Sequence, residues 1–173
     1  MQVFKTTGLA WLWLALIVLV LDQATKLAIL ANFKLYESIP VMPFFNLTYV
    51  QNFGAAFSFL ANAGGWQRWF FTGIAILASV LISFWLYKTP KSQKLLGVGF
   101  SLILGGALGN LYDRISYGYV VDFIDWYVNQ YHWPAFNIAD AGIVIGAFLV
   151  VIDSFVNDEE KQAEQPKTKA TSE

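Results

Sequence analysis

The sequence predicts an all-α membrane protein, with four transmembrane helices and small strand or helix elements in two extracytoplasmic loops. Three observations carry this. Of 173 residues, 57% are hydrophobic and 13% charged, and the mean hydropathy is +0.50, more apolar than a soluble domain of this size. Four apolar runs each approach the roughly 20 residues that cross the hydrocarbon core. Lysines and acids segregate along the chain as they do in a multi-pass protein.

The first span covers about 8–30. Lys5 followed by Leu9–Leu21 imitates a signal peptide, but Asp22 and Lys26 interrupt the run and no small-x-small cleavage site follows, so it reads as a retained span. The second covers 66–87 and the third 95–112. The third is short and rich in glycine, and Gly105 and Gly109 have the small-xxx-small spacing of close helix contact. The fourth covers 137–156 and repeats that spacing in Gly142 and Gly146. Residues 1–156 form a single domain, and 157–173 are a charge-mixed tail expected to be disordered. Lys88, Lys91 and Lys94 share a short loop without an acid, and Lys161, Lys167 and Lys169 follow span four. The positive-inside rule then puts both termini in the cytoplasm and turns loops 31–65 and 113–135 outward. The site they carry would lie at the extracytoplasmic face of the membrane.

Within the outward loops, Phe45–Asn52 alternates like a short strand. Asn62-Ala-Gly-Gly65 signals a turn before span two. Trp66, Trp69, Trp126, Tyr127, Tyr131 and Trp133 suit the membrane–water interface.

Composition excludes several functions. A net charge of −1 with no basic stripe argues against nucleic-acid binding. The absence of cysteine excludes thiolate chemistry, and His132 as sole histidine argues against a zinc site. No metal or cofactor is expected.

On this topology Asp22, Glu37, Asp113, Asp122, Asp125 and Asp140 all fall on the outer side. Asp22 is about 25 Å of helix beyond Lys5 at 1.5 Å per residue. Asp122 lies in the apolar run Val120–Ile124, and Asp140 at the mouth of span four. An ionisable group at membrane depth is costly and marks a functional site by default. Structural readings compete. Asp22 and Lys26, at i and i+4, can pair on one helix face. Asn137 and Asp140 have the spacing of a capping box. Asp113 and Arg114 can form an interfacial pair with Arg114 snorkelling outward. Asp125 reads as a solvated loop charge, and His132 as an interfacial polar aromatic.

Five segments together carry a resemblance. Asp22-Gln-Ala-Thr-Lys26, Asn52-Phe-Gly-Ala-Ala-Phe57, Gly105-Gly-Ala-Leu-Gly-Asn-Leu-Tyr-Asp-Arg114, Gly118-Tyr-Val-Val-Asp-Phe123 and Phe136-Asn-Ile-Ala-Asp140 resemble, in order, the motifs of bacterial lipoprotein signal peptidase, the type II enzyme. The resemblance implies an intramembrane aspartic endopeptidase whose catalytic pair is Asp122 and Asp140. It implies supporting or substrate-binding roles for Asp22, Lys26, Asn52, Gly54, Asn110, Arg114 and Asn137. It also implies removal of the signal peptide from diacylglyceryl-modified prolipoproteins just before the lipidated cysteine. Partners would be those precursors and membrane lipids, with the enzyme monomeric. Spacing alone does not choose Asp122 over Asp125; the motif does.

Other classes fit less well. A proton-coupled transporter needs acids along a path across the membrane. A serine–lysine type protease needs a hydroxyl facing its lysine, and Thr25 and Lys26, being adjacent, point to different helix faces. A scaffold gives no reason for Asp122 and Asp140.

Overall fold

The computed structural model describes residues 6–54 and 64–168, with side chains to Val156. Four helices are long and apolar enough to cross a membrane: Gly8–Asn32, Gln67–Lys88, Lys94–Ser116 and Ile138–Val156. In the first, a 3-10 turn at Gly8–Trp11 leads into α1, Leu12–Asn32. The others are α2 (Gln67–Lys88), α3 (Lys94–Ser116) and α4 (Ile138–Thr168). The third span is longer than expected, because Asp113 and Arg114, read as its polar limit, are still helical. The backbone of α4 continues to Thr168, past the Val156 at which apolarity ends, where disorder was expected of 157–173. Glu, Lys, Gln and Ala dominate that stretch and are good helix formers. Residues 169–173 lie outside the described residues.

The glycines of the third span explain its position. α3 packs against the other three helices, and half of its span is buried, against 22–28% for the others. A Cβ on Gly105 would sit 2.6 Å from the Ala15 carbonyl oxygen, and one on Gly146 would sit 2.5 Å from that of Gly99. Any larger residue would push α1 or α4 away from α3.

A four-stranded antiparallel sheet, in order β1–β2–β3–β4, lies at one end of the bundle. Its strands are β1 (Ser38–Met42), β2 (Phe45–Asn52), β3 (Val120–Val128) and β4 (Tyr131–His132). The alternation of Phe45–Asn52 thus does form a strand. The Asn62–Gly65 turn is described only from Gly64 onward. Tyr49, Val121 and Phe123 bury one sheet face against Ile29 of α1, with Tyr117, Tyr119 and Ile138 packed around them. This apolar seam ties the sheet to the ends of α1, α3 and α4.

Two irregularities aim the strands. Gly118, at φ +88°, turns the chain from α3 into β3 with Arg68 packed beside it. The N–H groups of Phe123 and Ile124 both donate to the Phe136 carbonyl, at 3.0 and 2.8 Å. This is a bulge, with two residues facing one. Phe123 and Ile124 therefore both pack toward the apolar seam, and Asp122 and Asp125, three apart, come to the same face of the sheet.

Candidate active site

Asp122 and Asp140 are brought together by asparagines. Asp122, 2% exposed, accepts hydrogen bonds at Oδ1 from Asn137 Nδ2 (2.7 Å) and at Oδ2 from Asn52 Nδ2 (2.9 Å). Asp140 Oδ1 accepts one from Asn110 Nδ2 at 2.7 Å. The expected capping box is present: the Asp140 N–H donates to Asn137 Oδ1 (2.9 Å), and Asp140 Oδ2 accepts from the Asn137 N–H (3.3 Å). Asn137 thus starts α4 and touches both aspartates. The cap reading and the site reading describe one arrangement.

Asp22, Lys26 and Asp113 form a second buried node. Lys26 Nζ lies 2.8 Å from Asp22 Oδ2 and 2.8 Å from Asp113 Oδ2, and donates to Asn110 Oδ1 at 2.9 Å. All three charged side chains are at most 1% exposed. The i,i+4 pairing expected of Asp22 and Lys26 is therefore real, but it is shared. Asp22 Oδ1 also accepts the Ala139 N–H at the start of α4 (2.9 Å), and Asp113 Oδ2 accepts the Val121 N–H (3.1 Å). A Cβ on Gly109 would lie 2.5 Å from Asp22 Oδ2, so glycine there leaves room for the carboxylate.

Two expectations are corrected here. Asp113 pairs with Lys26 and not with Arg114. Successive helical residues point about 100° apart at 3.6 residues per turn, so the neighbours face different ways. Arg114 does not snorkel outward. Its Nη2 donates to the Gly54 carbonyl (3.0 Å), its Nη1 to the Asn110 carbonyl (3.3 Å), and the guanidinium lies over Phe71. Asn52 Oδ1 accepts the Gly54 N–H at 3.0 Å, so Asn52 and Arg114 grip the same turn. The motif residues that follow, Ala55 to Phe57, lie outside the described residues.

Asp125 is also corrected. It is buried, not solvated, and accepts hydrogen bonds from Asn46 Nδ2 (3.2 Å), Thr48 Oγ1 (3.0 Å) and His132 Nδ1 (2.8 Å). His132 is half exposed and stacks on Tyr127. The poor fit of a serine–lysine type site extends to geometry, because the Thr25 hydroxyl donates to carbonyls of its own helix, Leu21 and Asp22.

Sequence reasoning passed over two residues. Gln23 Nε2 donates to Asp113 Oδ1 (2.9 Å) and Asp22 Oδ2 (3.1 Å), joining the two acids of the lysine node. It stood inside the Asp22–Lys26 motif, which was the available signal. Arg68 donates to the Arg114 and Ile115 carbonyls at the end of α3 (2.7 and 2.9 Å). As a cation at a helix start it offered no sequence cue.

Chemically, the site separates two kinds of carboxylate. Among the described residues, no lysine or arginine forms an ion pair with Asp122 or Asp140. Their donors are neutral amides. Burial first, and then the neighbouring charge of Asp140, push the Asp122 carboxyl up to about 7. A pair so placed can hold one proton between two carboxylates near neutral pH.

The sequence profile described as signal peptidase (SPase) II matches residues 14–156. The chain is 58% identical over 164 residues to a lipoprotein signal peptidase of Alteromonas mediterranea, covering 95% of this chain and 90% of that protein. It is 56% identical over 158 residues to that of Yersinia pseudotuberculosis, covering 91% and 94%. A solved structure described as a bacterial membrane enzyme superposes with a TM-score of 0.77 at 35% identity, covering 88% of this chain and 90% of that one. A second, at 36% identity, gives 0.72 over 83% and 90%. With the fold and these relatives in agreement, the chain belongs to the signal peptidase II family, aspartic peptidases of the membrane that process lipoproteins.

Proposed function

We propose that Asp122 and Asp140 are the catalytic dyad, and that the enzyme cuts diacylglyceryl-modified prolipoproteins just before the lipidated cysteine. The observation that carries this is the shared asparagine frame: both carboxylates take hydrogen bonds from Asn137, and among the described residues neither forms an ion pair. One carboxyl holds a proton while the other is the base. The base takes a proton from water as the water oxygen bonds to the scissile carbonyl carbon. The protonated partner gives its proton to the carbonyl oxygen. On collapse the C–N bond breaks, the amine takes the proton from the former base, and the second carboxyl recovers its own. Asn110, Asn137 and Asn52 orient the carboxylates. Arg114 sets the backbone at Gly54, where an extended substrate passes. Asp22 and Lys26 hold α1 against α4.

The acyl chains stay in lipid while the peptide enters the polar end of the bundle, so lipidation raises the effective concentration of the scissile bond at the dyad. The enzyme acts as a monomer. It spans the cytoplasmic (inner) membrane with both termini in the cytoplasm and the sheet outside.

The test is cleavage of a diacylglyceryl-modified precursor by purified Asp122→Asn and Asp140→Asn. Turnover close to wild type in either variant overturns the dyad. Chelators are expected to leave activity intact; loss restored only by added metal contradicts this route. A reporter fused after Lys91 is expected to report cytoplasm.

A further inference from the structure

A cleft of about 520 Å³ lies on the sheet beside the dyad, lined by Thr48, Val50, Asp125, His132, Trp133, Pro134 and Ala135. Both of its walls lead to the aspartates. On one side Thr48 and Val50 continue along β2 to Asn52, and Val50 stands directly opposite Asp122 in the strand register. On the other, His132–Ala135 runs through Phe136 into Asn137 and the first turn of α4. The bulge at Phe123–Ile124 makes the cleft possible, because it turns Asp125 to the face that carries Asp122. Asp125 lies three residues farther along β3, about 10 Å at 3.3 Å per residue.

The cleft's chemistry selects its occupant. Asp125 is only 6% exposed and spends its oxygens on Asn46, Thr48 and His132. The Asp125 oxygen 2.8 Å from Nδ1 favours the His132 tautomer with its proton there, which leaves Nε2 to accept. The half-exposed ring is clamped by Asp125 and by stacking on Tyr127 at 5.2 Å. Val50, Trp133, Pro134 and Ala135 form apolar walls around it. Such a cleft suits an extended backbone with small side chains that bear a hydroxyl or amide donor. The signal peptide and acyl chains are apolar and belong in the bilayer. The polar part of the substrate is the segment after the lipidated cysteine.

We propose that this cleft is a substrate subsite that binds the first residues after the lipidated cysteine, with His132, held by Asp125, accepting a hydrogen bond from a small polar side chain. This rests on the dyad reading for its direction from the scissile bond.

The experiment compares three precursors: one with serine at the two positions after the cysteine, one with leucine there, and one ending at the lipidated cysteine amide. His132→Ala and Asp125→Asn are expected to raise KM for the serine precursor about 3–10-fold, the range of one lost hydrogen bond. Its kcat should hold, and the other two substrates should be unaffected. An equal change for all three precursors, or no change for any, overturns the subsite. Should Asp125→Asn fail to fold, the exposed His132 carries the kinetic test alone. A second readout needs no turnover. A precursor with a photoreactive group at the second position after the cysteine is mixed with Asp122→Asn protein. Label is expected on Val50 or on His132–Ala135, and label confined to the lipid-facing helices overturns the proposal. Turnover retained by Asp122→Asn would instead strike the dyad while this labelling still reported occupancy.

Discussion

Asp22 and Asp113 share the ammonium of Lys26, whereas Asp122 and Asp140, at the same end of the bundle, take their hydrogen bonds, among the described residues, from asparagines. Asp22, Asp113 and Asp122 are buried, whereas Asp140 is only half-buried, and both pairs draw backbone N–H groups from α4 or β3. The difference is the countercharge. A carboxylate paired with a buried cation has its charge matched inside the fold and serves to hold the helices together. A carboxylate held by neutral donors is kept in place without being kept charged. The bundle thus uses the same residue type as cement and as reagent, and the neighbour decides which. Asn110 joins the two, accepting from Lys26 and donating to Asp140.

The largest expected effect breaks the reagent pair. Asp122→Asn or Asp140→Asn should lower kcat by roughly 10³-fold or more, as loss of an acid or base does, with the unfolding temperature little changed. Asp22→Asn or Asp113→Asn should show the reverse order, losing stability before turnover. Next, Lys26→Met should destabilise the protein by about 3–5 kcal/mol, because it leaves buried carboxylates unpaired. Adding Asp22→Asn and Asp113→Asn should recover part of that in thermal unfolding of the detergent-solubilised enzyme. Failure to recover would show that Lys26 acts otherwise than as their countercharge. A smaller effect sharpens the role of the asparagines. Asn110→Leu or Asn137→Leu should reduce kcat about 10–100-fold, equivalent to a lost hydrogen bond to a charged group.

A further effect is read in pH. The Asp122 carboxyl sits at about 7 in the fold, against roughly 3.9 in an unfolded chain. Between those values the native protein keeps a proton that the unfolded chain has released. Its contribution to stability is therefore present at low pH, falls as pH rises across that window, and levels off above about 7. The wild type should show this slope and Asp122→Asn should lack it. Activity should decline on the alkaline side of neutrality, where the pair loses its last proton, with an apparent pKa that belongs to both carboxyls.

Much of this was legible in the residues. Hydropathy located all four spans, because each needs a continuous apolar length. Alternation located β2, and local spacing located the Asp22–Lys26 pair and the Asn137–Asp140 cap. What stayed hidden depends on contacts distant in sequence. Asp113 finds Lys26 across a helix interface, while its neighbour Arg114 faces away. Asp125 reaches Asn46, Thr48 and His132 because a bulge opposite Phe136 turns it off the apolar seam, and nothing in Val120–Val128 announces that bulge. The choice of Asp122 over Asp125 came from the motif resemblance alone. Geometry now separates them by their partners, since Asp125 meets a histidine and Asp122 meets two asparagines.

Asn137 both begins α4 and holds the two carboxylates of the proposed dyad. It is also the end of the chain's longest wait. A ribosome makes α1, the sheet strands and α3 first, and until the last span is inserted the acids on the earlier segments lack their common partner. On the dyad reading, the peptidase is therefore silent throughout its own biogenesis, and the act of completing the bundle is what switches it on.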